Sequence, residues 1–425
     1  MTTLLIVIFI LGYAGIASEH LVRVNKAATA LITGVLCWVV YIISAGDKHT
    51  VSEQLTEHLG ELSGILFFLL GAMTIVELID VHNGFEIITK RITQTNKRKL
   101  LWIVSFITFL LSPVLDNLTT TIVMVSLIRK LIKAPEERLS FICMVVIASN
   151  AGGAWSPIGD VTTTMLWIGG QITASNIVIQ LIVPSLVCML VPLTILTYQL
   201  KGNVERPAPD VNDNNTLVSP KTQNIVFFSG LSILILVPVF KTLTHLPPYM
   251  GILFGLGILW VITEIIHGNK DGDDKHFLSV AYALRKIDTP SILFFLGILI
   301  SIAALQVTGV LTNVAEWMDS HIKNVHAIVL SFGVLSSIVD NVPLVAASQG
   351  MYSLEQFPTD HFFWEFLAYC TGTGGSILII GSAAGVAAMG MEKIDFFWYL
   401  KKFSLLALIG YASGAAIFIL QHYLL

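Results

Sequence analysis

A run of about twenty apolar residues can cross a bilayer as a helix, which satisfies its own backbone polar groups inside hydrocarbon. Runs of this kind recur along the sequence from Thr3 onward. Only 12% of the 425 residues are charged, about half the share expected of a soluble domain. The alternating ten-residue segments of a membrane barrel are missing from the pattern. The expected fold class is therefore an all-α polytopic membrane protein.

Against that background the polar interruptions carry the information. SPVLDNLTTT (Ser112–Thr121) sets an aspartate and five further polar side chains inside an apolar stretch. Buried ionisable residues are costly in a bilayer, which marks Asp116 as functional. SSIVDN (Ser336–Asn341) repeats SPVLDN 224 residues later. GTGGSILIIGS (Gly372–Ser382) matches NAGGAWSPIGD (Asn150–Asp160), and SILFFLG (Ser291–Gly297) matches GILFFLLG (Gly64–Gly71). Three collinear matches, offset by 222 to 227 residues, imply an internal duplication.

Taken in order, residues 1–61 read as a two-span scaffold segment, whose loop Ala45–Glu61 is polar. MTTLLIVIFI lacks a basic leader, so it reads as a retained first span. The first repeat covers 62–200. Within it, Gly84–Lys99 reads as an interfacial amphipathic helix, and Leu100–Leu111 and Leu118–Leu131 as two arms too short to span. Pro113 is expected to end the first arm, giving a re-entrant hairpin with its polar tip at half depth. The glycines and Pro157 of NAGGAWSPIGD predict a broken helix. Residues 201–223 read as a cytoplasmic linker, 224–290 as two connecting spans with a charged loop, and 291–425 as the second repeat. Cys37, Cys143, Cys188 and Cys370 have no metal-ligand spacing and read as packing residues.

Each repeat then crosses three times, so the two are inverted, with about ten crossings in all. With Gly84–Lys99 inside, every Lys and Arg except Lys48, Lys241 and Lys323 falls on the cytoplasmic side. Both termini are expected outside. Inverted repeats with broken helices at mid-membrane are the architecture of secondary transporters.

The four interruptions bring together Asp116, Asn117, Thr119 and Thr120; Asn150, Asp160, Thr162 and Thr163; Ser336, Asp340 and Asn341; and Thr371, Thr373, Ser376 and Ser382. This set is almost wholly oxygen donors and contains no Lys or Arg, which favours a hard monovalent cation over an anion. The expected cation ligands are Asp116, Asn117, Asn150, Asp340 and Asn341. A proton and a cation competing for one buried carboxylate suffice for exchange. Asp116 is the expected shared site, with Asp340 its counterpart, Asp160 a second titrating group and Glu77 a possible accessory. The plainer readings stay open: Asp116, Asp160 and Asp340 as helix caps, the threonines bonded to their own helices, and Glu77 solvated.

At SPVLDNLTTT, ASNAGGAWSPIGDVTTTMLW and SEHLVRVNKAATALITG the chain resembles the NhaD-type sodium/proton antiporters of the ion transporter superfamily. The resemblance implies Na⁺ or Li⁺ exchange for H⁺ with no cofactor, in the bacterial inner membrane. It also implies a homodimer whose scaffold holds a mobile transport domain that moves as an elevator. The superfamily's dicarboxylate carriers show Ser-Asn-Thr at the hairpin tips, where this chain has Asp-Asn-Leu-Thr and Asp-Asn-Val-Pro. An arsenite or other solute permease of the same fold is the alternative. An intramembrane aspartyl protease using Asp116 and Asp340 is a distant one, and a channel fits inverted halves less well. No enzyme activity or nucleic-acid partner is expected.

Overall fold

The computed structural model describes residues 1–17, 24–89, 91–207, 218–268 and 276–424. Lys90, part of the basic link before Val24, the middle of the linker and part of the charged loop after Gly268 lie outside the described residues. Every regular element among them is helical: α1 Thr2–Ala17, α2 Lys26–Ser44, α3 Lys48–Val81, α4 Glu86–Thr89, α5 Lys97–Leu115, α6 Asn117–Leu131, α7 Pro135–Ala154, α8 Val161–Ile168, α9 Ala174–Gln199 and α10 Pro220–Thr244. The remainder are α11 Pro248–Ile266, α12 Val280–Lys286, α13 Thr289–Val307, α14 Val310–His321, α15 Val325–Leu335, α16 Asn341–Met351, α17 Phe362–Gly374, α18 Ala383–Glu392, α19 Phe396–Lys402 and α20 Ser404–Leu424. Eight of these are long and apolar enough to cross a membrane. The chain is a multi-pass α-helical membrane protein.

Three local expectations need correction. Ala45–Glu61 is mostly helix rather than loop, because Asp47 accepts the His49 amide at 2.9 Å and the Thr50 hydroxyl at 2.7 Å, which starts α3. That helix is about 51 Å long at 1.5 Å per residue, so its polar first half projects beyond a hydrocarbon core. Gly84–Lys99 is not one amphipathic helix. A single turn forms at Glu86–Thr89, and the next helix starts only where Asn96 caps the Lys99 amide. The β-branched, cap-rich ITQTN between them favours extended chain.

The third correction concerns the first arm. Pro113 does not end it: α5 runs through the proline to Leu115 and has 19 residues, enough to span. Pro113 deprives the Phe109 carbonyl of its usual amide, and that oxygen instead faces the glycine face of α7, where a Cβ on Gly152 would lie 2.6 Å from it. The chain reverses at Asp116. Lys97 at the start of α5 meets Glu137 at the start of α7 (3.0 Å), and Lys133 just after α6 bonds Glu205 (2.9 Å). Both arms therefore open at the same end of the molecule.

A hairpin followed by a broken helix occurs again in the second half. Helices α15 and α16 flank the turn Ser336–Asp340, and α17 and α18 flank the break 375–382. One contact recurs at matching places. The Ser112 hydroxyl donates to the Ser149 carbonyl (2.6 Å), and the Ser336 hydroxyl to the Thr371 carbonyl (2.8 Å). Each pins a hairpin's first arm to its broken helix. Close approach requires glycine there: a Cβ on Gly153 would lie 2.3 Å from the Gly159 carbonyl oxygen, and one on Gly374 2.0 Å from that of Gly333. Small residues let membrane helices approach in this way.

Candidate functional site

The four interruptions meet at helix starts. Asp116 caps α6, Asp160 caps α8, Asp340 caps α16 and Ser382 caps α18. Each accepts an amide from its own first turn: Thr119 at 2.8 Å, Thr162 at 2.9 Å, Val342 at 3.4 Å and Gly385 at 3.1 Å. The capping reading is thus correct for all three aspartates. It does not exhaust them, because a carboxylate has more acceptor sites than one cap uses.

Asp160 is the hub. Its carboxylate, 2% exposed, takes the Thr162 amide and hydroxyl and the Asn117 side-chain amide at 2.6 Å. The Asn341 amide reaches it from the other hairpin at 3.3 and 3.4 Å. Asn117 also donates to Asn150 (3.0 Å), and Asn150 donates to Ser376 and Ser382, both at 2.9 Å. One network therefore joins both hairpin tips and both broken helices. Among the described residues no Lys or Arg pairs with Asp116 or Asp160.

Asp116 is arranged differently. Its two oxygens take the amide and hydroxyl of Thr119. Its backbone, at φ 71° and ψ 162°, sits in a region open essentially to glycine alone, at a cost on the order of 1–3 kcal/mol. Asp116 and Asp160 both line a small cavity of about 20 Å³, otherwise walled mainly by apolar side chains including Phe68, Leu69 and Ile158. A space of that size holds one water-sized particle.

The other expected residues divide. Thr163 bonds the Asp160 carbonyl, and Thr371 and Thr373 bond back to their own helix, so their hydroxyls are used locally. The Thr120 hydroxyl is buried without a partner, an unused oxygen beside the hairpin tip. Glu77 is half-buried and lines a second cavity of about 140 Å³ that reaches Thr119. Asp80, Lys286 and Asp288 share that cavity, and sequence reasoning missed them because they stand in ordinary loop-edge positions.

One expectation about the site fails. The residue set contains no base, yet Lys26 of α2 reaches the Asp340 carboxylate at 3.4 Å. In sequence Lys26 closes the basic stretch SEHLVRVNK between the first two apolar segments, and only the packing of α2 against α13 brings it to the second hairpin. Asp116 and Asp340 also have separate partners, Thr119 for one and Lys26 for the other, unlike the paired carboxylates of a protease dyad.

Residues 5–372 match the sequence model of a family described as a citrate transporter. Sodium/proton antiporter 2 of Arabidopsis thaliana is 47% identical over 418 residues, covering 98% of each chain. Sodium/proton antiporter 1 of the same plant is 50% identical over 415 residues, covering 98% of this chain and 72% of that one. The Na(+)/H(+) antiporter NhaD of Vibrio parahaemolyticus is 31% identical over 418 residues, covering 91% of this chain and 98% of its own.

Proposed function

Because the chain belongs to the NhaD-type sodium/proton antiporter family, we propose that it is a secondary transporter exchanging Na⁺, or Li⁺, for H⁺. The carrying observation is the convergence of Asn117 and Asn341, one from each hairpin, on the buried Asp160 carboxylate. A carboxylate held out of water without a basic partner demands a cation or a proton. Asp160 and Asp116 supply the charge and the Thr120 hydroxyl a further oxygen, beside carbonyls freed where α5 and α7 end. Antiport follows because cation and proton cannot both neutralise the same group.

The family model's name raises citrate as a substrate. Four helix starts could hold an anion, but each has a capping Asp or Ser that already takes one first-turn amide, and at three of them the cap is itself a carboxylate. The cavity between Asp116 and Asp160 is also far too small for a tricarboxylate. These observations favour the cation.

Inverted halves, an elevator motion and ten crossings belong to the same proposal. The count of ten takes α1 and the two broken helices as crossings and α5 as a hairpin arm. Supporting inversion, Arg129 and Arg138, at the open end of the first hairpin, both pair with Glu392 at the far end of the second broken helix. Correspondingly, Thr173, after the first broken helix, bonds Asp360, ahead of the second. The homodimer, the outward termini and the bacterial inner membrane rest on the NhaD resemblance alone, and two of the relatives are from a plant.

The test uses the full chain in liposomes with an internal pH dye. Adding Na⁺ or Li⁺ should move protons, and Asp160→Asn should abolish the response. Proton movement driven by citrate, or none with any cation, would overturn the proposal.

A further inference from the structure

Lys26 is the first residue of α2, behind an Asn25 cap that bonds the Ala27 amide at 2.8 Å. A helix start carries partial positive charge and disfavours a cation, so helix formation gives no reason for a lysine here. Its surroundings do. The ammonium lies 3.4 Å from the Asp340 carboxylate and 4.3 Å above the centre of the Phe294 ring. Both ion-pair partners are largely buried, with side chains 21% and 15% exposed. The residue after Asp340 is Asn341, which donates to Asp160. Two adjacent residues, Asp340 and Asn341, therefore link Lys26 to the hub of the site.

Its mounting is rigid. Helix α2 packs most extensively against α13. A Cβ on Gly34 would lie 2.6 Å from the Gly297 carbonyl oxygen, and the Trp38 indole donates to the Ile300 carbonyl at 2.9 Å. Phe294 belongs to the same α13, which also touches α16. Lys26 thus stands on a helix pair outside both hairpins and both broken helices, while Asp340 stands on a hairpin tip.

We propose that Lys26 is a tethered ammonium that competes with the transported cation for Asp340, a specificity-determining residue supplied by the scaffold. The inference rests on the cation-exchange reading above. With Lys26 in place, Asp340 is neutralised and the cation meets only Asp116 and Asp160. Movement of the hairpin relative to α2 breaks the pair and exposes a third carboxylate, so affinity changes with conformation without any change in the other ligands.

The test measures half-saturating Na⁺ for proton exchange by the full chain in liposomes, with melting temperature as a fold control. Lys26→Gln leaves Asp340 unpaired and should lower half-saturating Na⁺ roughly tenfold, the effect of one added charge a few ångström from the site at intermediate dielectric. The maximal rate should fall, because a tighter site releases slowly, and Lys26→Arg should keep wild-type affinity. Asp340→Asn should raise half-saturating Na⁺ by removing the carboxylate that faces Lys26 beside the site, and Lys26→Gln in that background should bring it back. The second pair decides the matter even if Lys26→Gln alone does not fold. Unchanged or weaker Na⁺ affinity in a folded K26Q chain, or no rescue of D340N, would overturn the inference. Loss of Na⁺ response in the wild type would instead overturn the exchange reading.

Discussion

At the residue scale, the sequence singled out Asp116, and the structure gives that residue an unusual backbone rather than the central carboxylate. A non-glycine residue at φ 71° and ψ 162° persists only where the surroundings hold it. Asp116→Gly removes the strain, and glycine at a helix cap costs only a few tenths of a kcal/mol relative to aspartate. D116G should therefore melt at or above the wild-type temperature while exchange is lost. A melting point several degrees lower would mean that the carboxylate stabilises the tip and that no strain is stored there. The polar residue types of the site were legible because they stand in apolar sequence. Which oxygen faces which donor was not: Asn117, Asn150 and Asn341 look alike in sequence, and their partners lie 33 to 232 positions away.

At the scale of elements, broken helices and hairpin turns were readable from glycine, proline and Asp-Asn, while helix ends were not. Pro113 was expected to stop α5, but a proline in the last turn removes one bond and leaves the rest of the turn intact. Glycine packing makes a sharp test here. A methyl on Gly374 would sit 2.0 Å from the Gly333 carbonyl, whereas Gly390 has nothing within 4 Å. Gly374→Ala should destabilise by about 1–3 kcal/mol through overpacking, and Gly390→Ala should be neutral or stabilise by about 0.4–1 kcal/mol through the unfolded chain. Thermal unfolding in detergent reads both, and equal melting points would refute the close approach.

The start of α17 carries a pH dependence. His361, in the loop ahead of the helix, accepts the Phe363 amide on its ring nitrogen. Partial burial, then the nearby His422, hold its pKa below the ordinary 6.5. Folding therefore favours the neutral ring, and the unfolded chain binds more protons. Its contribution is complete above pH 6.5 and is lost as pH falls through the lower folded value. Melting temperature should decline on acidification from that point. His361→Asn, which caps without titrating, should flatten the decline, and an unaltered slope would remove the histidine from the account.

At the scale of the whole molecule, Glu392 ties the two halves together. Its side chain is 5% exposed and takes both Arg129 and Arg138, so it joins the ends of α6, α7 and α18. Removing one partner of a buried pair leaves the other charges uncompensated. Glu392→Gln should lower the melting temperature, chiefly through the largely buried Arg138, since Arg129 is 42% exposed and solvent screens its charge. Half-saturating Na⁺ should stay near wild type, because Glu392 touches none of the site residues. A changed affinity with unchanged melting would show that the clamp acts on the site and does not merely hold the helices.

The sequence by itself determined the membrane class, the duplication and the residue types of the site. Spanning length, apolarity and repeat spacing are local properties of a chain, and hydrocarbon permits little besides helices. Only the tertiary structure decided that Asp160, with an Asn from each hairpin, is the meeting point, and that Lys26 reaches Asp340 across 314 residues. Helix packing sets those juxtapositions. Close contacts such as Gly34 against Gly297 fix which faces meet, and no local pattern records the partner.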